Sequence, residues 1–221
     1  MTDETVSALS LSLRVAVLAT VLNALVGIPL AYALARRRFR GKALLDLLVT
    51  LPLVLPPTVT GYYLIVLLGR RGWLGAPLYQ ATGWSVAFTW YAAVIAATVM
   101  ALPLLVRTAR AAIESVDRDL EKAAYTLGRS EWRTALEVTL PLARNGILAG
   151  LVLAFARALG EFGATLMLAG NIPGRTTTVP LAIYTAVQTG DSGAALVLVG
   201  ILTALSCIVL IAAGRLGARA T

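Results

Sequence analysis

The stretch that decides the fold is "DRDLEKAAYTLGRSEWRTALEVTLP", residues 117–141, which carries nine charged residues. The rest of the chain is strongly apolar: 58% of its 221 residues are hydrophobic and the mean hydropathy is +0.82. Soluble domains contain about 45–50% apolar residues, so the composition indicates one integral membrane domain spanning residues 1–221. A charged segment inside such a chain needs an aqueous partner or surface.

Five apolar segments are long enough to cross a membrane, since a spanning helix needs about 20 residues. They are residues 15–35, 47–68, 85–106, 146–170 and 193–214. The apolar run 176–190 is short and contains Pro180, so we expect a re-entrant or surface helix there. The sequence thus predicts an all-α membrane protein with about five transmembrane helices.

The basic residues predict the orientation. Lys and Arg number five in residues 36–42, seven in residues 107–144 and two near the C-terminus, against three on the opposite side. Cytoplasmic loops carry the excess of Lys and Arg, so we expect the N-terminus outside and the C-terminus and residues 117–141 inside. The net charge of +8 therefore reflects topology and not a nucleic-acid partner. Asp3 and Glu4 stand where a signal peptide would be basic, so no cleaved leader is expected.

The charged segment has the signals of a helix, a sharp turn and a second helix. Asp117 can cap the first helix and Ser130 the second, and Gly128 can take the positive φ of a C-terminal cap. Apolar residues that recur at helical spacing are expected to form one apolar stripe; its members are Ile113, Val116, Leu120, Ala124 and Leu127. These features alone fit equally well an interfacial helix lying on lipid.

The spacing resembles the coupling loop of ABC importer permeases, with Ala123-Ala124, three residues, Gly128, nine residues, and Val138-x-Leu140-Pro141. The family pattern begins with Glu where this chain has Lys122, and Glu121 lies one residue earlier. The resemblance implies a cytoplasmic helix between spans three and four that docks on an ATPase subunit. The coupling residues it implies are Leu120, Glu121, Lys122, Ala123, Ala124, Leu127, Gly128 and Pro141.

Two further stretches, residues 51–75 and "FARALGEFGATLMLAGNIPGRTTTVPLAIYTAVQTGD" at 155–191, resemble the molybdate permeases of the same superfamily. Sulfate permeases share the Gly-Glu-Phe-Gly part. The resemblance implies the type I importer fold, a homodimer, two ATPase subunits that bind ATP and Mg²⁺, and an external molybdate-binding protein. Tungstate, sulfate and thiosulfate remain alternative substrates.

This chain is not expected to bind a cofactor or metal or to hydrolyse ATP. It has no G-x-x-x-x-G-K-[ST] phosphate loop, no His and one Cys. Two rivals of other classes stay open: an ATPase-independent secondary transporter or channel, and a scaffold that only recruits a partner.

Charged and helix-breaking residues inside the predicted spans mark a candidate pathway or dimer interface. They are Pro56, Pro57, Arg157, Gly160, Glu161, Phe162 and Gly163. Arg157 and Glu161 are four residues apart, so we expect them on one helix face, more as a mutually neutralising pair than as an anion site. At Pro56-Pro57 a simple kink is favoured over a broken helix.

Overall fold

The computed structural model describes residues 3–218, and side chains from residue 4 to residue 211. This part of the chain is helical throughout apart from loops, which confirms the all-α prediction. The helices are α1 (Asp3–Arg36), α2 (Lys42–Val54), α3 (Pro57–Leu68), α4 (Gly75–Thr82), α5 (Trp90–Glu114), α6 (Arg118–Thr126), α7 (Glu131–Thr134), a π-helical turn (Ala135–Thr139), α8 (Leu140–Leu142), α9 (Arg144–Leu159), α10 (Gly163–Ala169), α11 (Val179–Gln188) and α12 (Ser192–Ala218).

Three helices of the described chain, α1, α5 and α12, are each long and apolar enough to cross a membrane. Helices α1 and α12 contain the predicted spans one and five, and α5 contains the predicted span three from residue 90 onward, since residues 85–89 precede the helix. Helix α1 is much longer than predicted: its 34 residues extend about 50 Å at 1.5 Å per residue, beyond a hydrocarbon core of about 30 Å. The helix continues through more polar turns before residue 15, so the start of the span predicted at residue 15 stays a prediction.

The predicted second and fourth spans are broken, which corrects two expectations. Helix α2 ends at Val54, Leu55 is extended, and α3 begins at Pro57, so the simple kink favoured at this point is wrong. Proline lacks the N–H that a continuous helix requires, and its fixed φ suits the first position of a new helix. In residues 146–170, α9 ends at Leu159 and α10 begins at Gly163. The total of five crossings stays a prediction.

Helix α5 is the centre of the bundle and packs against α1, α9 and α10. Its buried face is built from alanines with no exposed surface: Ala92, Ala93, Ala96, Ala97, Ala101 and Ala109. Small side chains let helix backbones approach closely, which is how helices associate in an apolar solvent. Gly150 of α9 continues this packing, since a Cβ there would lie 3.0 Å from Leu105 Cδ1.

The two short helices that follow the breaks, α3 and α10, pack directly on each other. A Cβ on Gly61 would lie 2.7 Å from Met167 Cβ and 2.8 Å from Ala164 Cα. A Cβ on Gly163 would lie 2.9 Å from Pro57 Cβ. The glycines therefore permit a close contact that no larger residue would allow.

Two short helices complete the fold. Helix α11 lies within the run 176–190, which confirms the predicted short helix, although its depth in the membrane stays a prediction. Helix α4 was not predicted, because its eight residues carry no helical periodicity strong enough to stand out from the preceding glycine-rich loop. Helix α12 packs on α11 and α9 and leaves large side chains such as Leu196 and Ile208 exposed.

The Gly61 contact gives a stability prediction. Replacing Gly61 with Ala forces α3 away from α10, and overpacking of this kind costs about 1–3 kcal/mol. We expect a lower midpoint of thermal unfolding in detergent. Gly200→Ala is the matched control, because no atom lies within 4 Å of a Cβ built there. Equal unfolding midpoints for the two variants would contradict the close contact.

Candidate functional site

The charged segment folds as a rigid helix–turn–helix after α5. The Asp117 carboxylate accepts a hydrogen bond from the backbone N–H of Asp119 (2.9 Å), and Ser130 caps α7. Gly128 has φ +78°, and the N–H groups of Gly128 and Arg129 donate to the carbonyls of Tyr125 and Ala124. These two bonds close a Schellman motif. The three predicted capping residues are therefore confirmed.

A buried ion pair fastens this segment to the end of α1. Arg36 Nε donates to Glu121 Oε1 at 2.9 Å, and the two side chains are only 7% and 9% exposed. Arg36 Nη2 also donates to the carbonyl of Val116 (2.8 Å), and Thr139 Oγ1 donates to the same Glu121 oxygen (2.7 Å). The pair thus joins α1, α6 and the π-helical turn. A weaker, exposed pair joins Arg37 to Glu131 (2.9 Å).

The outer face of α6 is apolar and exposed to solvent in the described part of the chain. Leu120 is 49% exposed, Leu127 is 82% exposed, and Ala123 between them is also exposed. The predicted apolar stripe divides in the structure: Ile113, Val116 and Ala124 are buried, whereas Leu120 and Leu127 are exposed. We call Leu120, Ala123 and Leu127 the outer face of α6.

Of the eight predicted coupling residues, Glu121 and Ala124 face inward and cannot contact a partner without rearrangement. Lys122 is exposed beside the outer face, and its hydrogen bond to Asp119 (2.7 Å) raises the pKa of its ammonium group. Lys122 is therefore a fixed positive charge next to an apolar surface. Pro141, also exposed, lies in α8.

The link from the charged segment to α9 is irregular. Residues Ala135–Thr139 form a π-helical turn, and the helical stretches Glu131–Leu142 and Arg144–Leu159 meet at 75°. π-Helical turns are rare in proteins, and those that occur often lie at functional sites. Nothing in the sequence pattern predicted the π-helical turn. The roles of Arg36 and Thr139 in holding the charged segment were also missed, because both residues bind Glu121, which is distant from each of them in the chain.

The predicted intramembrane residues gather at the break between α9 and α10. Arg157 Nη1 lies 2.6 Å from Glu161 Oε2, an ion pair that is not aligned as a hydrogen bond, and the Glu161 side chain is 1% exposed. Glu161 Oε1 accepts from the N–H of Ala164 (2.8 Å), so the carboxylate also holds the start of α10. Because the helix ends at Leu159, the two residues face each other across its end and not along one continuous helix.

The other members of this predicted group are distributed around the same break. Gly163 contacts Pro57, Phe162 packs on Tyr184 with ring centroids 5.2 Å apart, and Pro56 precedes α3. Gly160 is exposed. The ion pair confirms the neutralising arrangement that was favoured, and a place in a pathway or dimer interface stays a prediction.

Comparison with known proteins decides the family. Residues 27–221 match the family described as "Binding-protein-dependent transport system inner membrane component". The chain belongs to this family. The molybdenum transport system permease protein ModB of Escherichia coli (strain K12) is 53% identical to this permease over 197 residues, 88% of this chain and 86% of that protein. The sulfate transport system permease protein CysW of Synechococcus elongatus is 38% identical over 215 residues, 96% and 74% of the two chains.

The solved structures agree on the fold. A chain of the MetNI methionine ABC transporter, crystallised in inward-facing conformations, superposes on the permease with a TM-score of 0.78 at 16% identity, covering both chains completely. At that identity the likeness shows the fold alone. The permease therefore has the type I fold of ABC importer transmembrane subunits.

The buried ion pair gives a testable expectation. Glu121→Ala leaves the Arg36 guanidinium buried without its partner, and breaking a buried pair in this way costs about 3–5 kcal/mol. We expect a large fall in the unfolding midpoint of the purified permease. Lys122→Ala removes only an exposed pair and should leave the midpoint almost unchanged. Similar midpoints for both variants would show that the Glu121 pair does not hold the segment.

Proposed function

We propose that this permease is the transmembrane subunit of an ATP-driven molybdate importer. The observation that carries the proposal is the 53% identity to a molybdenum permease over most of both chains, against 38% to a sulfate permease. Molybdate and tungstate are dianions of nearly equal size, so the proposal covers both. The residue pattern at 155–191 that resembles molybdate permeases lies in the part of the chain that builds α9 to α11.

The proposed energy source is a separate ATPase that binds ATP and Mg²⁺. Its docking surface would be the outer face of α6 with Lys122 at its edge. An exposed apolar face rimmed by charge is typical of a protein interface, since burial of Leu120 and Leu127 supplies affinity while the charges set the register. Under this proposal α6 is cytoplasmic, the C-terminus is cytoplasmic and the N-terminus is external.

The proposed transmission route follows the contacts of the charged segment. A movement of α6 is passed to α1 through Arg36 and Glu121, and to α9 through the π-helical turn. Helix α9 leads to the break at residues 160–162, where Arg157 and Glu161 meet. Alternating access would then arise by moving broken helices that already have a hinge.

The permease is further proposed to act as a homodimer in the lipid membrane, with two ATPase subunits and an external molybdate-binding protein. A closed symmetric dimer is the common solution when one bundle is too small to enclose a path. The mass of the complex purified with its ATPase should correspond to two copies of each subunit, and a single copy of the permease would contradict the dimer.

The transport proposal predicts uptake of labelled molybdate. Cells lacking their own high-affinity system would express this permease with its candidate ATPase and binding protein. We expect uptake that excess tungstate blocks and excess sulfate does not, because tungstate nearly equals molybdate in size and charge. The control replaces the ATPase by a catalytically inactive form, which should abolish uptake.

Each other outcome of the uptake measurement points to a named rival. Equal competition by sulfate would move the substrate to sulfate while leaving the coupling intact. Uptake that persists with inactive ATPase would favour a secondary transporter or channel. Partner binding without any uptake would favour the scaffold.

If movement of the ATPase is transmitted through the turn at Gly128, a substitution there should reduce uptake more than the same substitution at Gly83, which has a similar positive φ. Gly128→Val places a β-branched residue at φ +78°, which strains the turn although no atom lies within 4 Å of the new Cβ. We expect at least a tenfold loss of molybdate uptake with normal insertion in the membrane. Gly83→Val is the matched control, with φ +70° and equally free space, but it follows α4, far from α6 in the chain. If both variants lose uptake equally, general strain and not coupling is the cause.

A further inference from the structure

A small cavity lies where the N-terminal part of α1, the start of α5 and the loop after α10 meet. Its volume is about 190 Å³. The side chains of Arg14 and Arg175 line it together with Ser7, Ser10 and Trp90. It is separate from the charged segment and from the break at residues 160–162, and the function proposed above makes no use of it.

The two guanidinium groups at this cavity have no counter-charge in the described chain. Neither Arg14 nor Arg175 forms an ion pair or a side-chain hydrogen bond with any residue from 4 to 211. The carboxylates of Glu4 and Asp191 line an adjoining cavity of about 370 Å³ and not this one. Both arginines are exposed and line this cavity without a carboxylate beside them, so the positive potential there favours an anion.

The cavity also offers neutral hydrogen-bond donors. Neither the Ser7 hydroxyl nor the Trp90 indole N–H has a hydrogen-bond partner among the described residues, while the Ser10 hydroxyl donates to the carbonyl of Ser7 (2.9 Å). An arginine carries five N–H donors in a fixed fork that matches oxygen atoms of carboxylates and phosphates. The donor set therefore suits a ligand that presents several oxygens in different directions.

The loop that carries Arg175 is held in place. Thr176 is fully buried, and its hydroxyl accepts from the N–H of Ile172 (2.9 Å) and donates to the carbonyl of Gly170 (3.3 Å). Gly174 takes φ +69° and completes the turn. Arg175 is thus placed at the cavity by a fixed backbone, which lowers the entropy cost of binding a ligand there.

We infer that this cavity binds a tetrahedral oxoanion between Arg14 and Arg175. About 190 Å³ corresponds to roughly six waters at about 30 Å³ each, which is room for a five-atom ion. The ion is either free in solution, as molybdate or sulfate, or the phosphate of an anionic lipid headgroup, because Trp and Arg at a helix end also suit the membrane interface. The inference does not depend on what the permease transports, since it concerns binding without turnover.

The experiment measures binding to the full-length permease in two arms. In the first arm, equilibrium dialysis measures the binding of labelled molybdate or sulfate to the protein in neutral detergent. In the second, native mass spectrometry counts phosphatidylglycerol retained after exchange from vesicles of phosphatidylglycerol and phosphatidylcholine. The variants are Arg14→Gln with Arg175→Gln, the charge-preserving Arg14→Lys with Arg175→Lys, and Arg71→Gln as a control arginine at a different cavity.

We expect the Gln pair to weaken binding of one of the two ligands at least tenfold, in line with the loss of charge-assisted hydrogen bonds. The Lys pair keeps the charge but loses the fork of N–H donors, so its affinity should lie between those of the wild type and the Gln pair, and Arg71→Gln should match the wild type. Loss in the first arm assigns the site to a free oxoanion, and loss in the second assigns it to a lipid phosphate. Binding that is unchanged by the Gln pair in both arms, or equally reduced by Arg71→Gln, would overturn the inference.

A measurement on the wild-type protein alone covers the case in which the Gln pair does not fold. Ligand that binds only the folded state raises the unfolding midpoint. A rise that saturates with added sulfate at constant ionic strength, or with phosphatidylglycerol, and that is absent with chloride or with phosphatidylcholine, supports the site, because the general stabilising effect of excluded sulfate does not saturate. No rise with either ligand overturns it.

Discussion

The ion pair between Arg36 and Glu121 is the contact through which the charged segment becomes part of the bundle. Two charges removed from water are costly, and the cost is offset here because the guanidinium of Arg36 and the hydroxyl of Thr139 both donate to the same Glu121 oxygen. Geometry of this kind fixes orientation more than it adds stability. Helix α6 is therefore held at a defined angle to α1, which a segment lying loosely on lipid would not be.

The packing of the bundle is compatible with a transporter that changes conformation although the charged segment is fixed. Alanines on α5 and glycines on α3, α9 and α10 allow backbones to approach closely, with larger side chains such as Leu105 filling the space between them. The breaks before Pro57 and after Leu159 lie where α3 and α10 make their close contact. The Arg157–Glu161 pair lies at the second break, where each charge is balanced by the other.

The two ends of the bundle use arginine differently. At the end that carries α6, Arg36 and Arg37 form ion pairs with carboxylates of the charged segment and so attach that segment to α1. At the opposite end, Arg14 and Arg175 share a cavity without a carboxylate partner. The same residue type is structural where a partner is supplied by the chain and available to a ligand where it is not. Topology alone does not distinguish the two cases.

The sequence by itself determined what depends on neighbouring residues: the helical class, the three long apolar helices, the caps at Asp117 and Ser130, and the turn at Gly128. Each of these follows from local hydrogen bonding or from apolar length, which a short window of residues contains. The spacing around Gly128 also led to the right family. Only the tertiary structure decided that Leu120 and Leu127 face outward while Glu121 is buried, because that choice depends on where Arg36 and Thr139 arrive from 85 residues before and 18 residues after. The broken helices and the cavity lined by both Arg14 and Arg175 also depend on tertiary packing, since hydrophobic length records how apolar a segment is and not which distant backbone it must pack against.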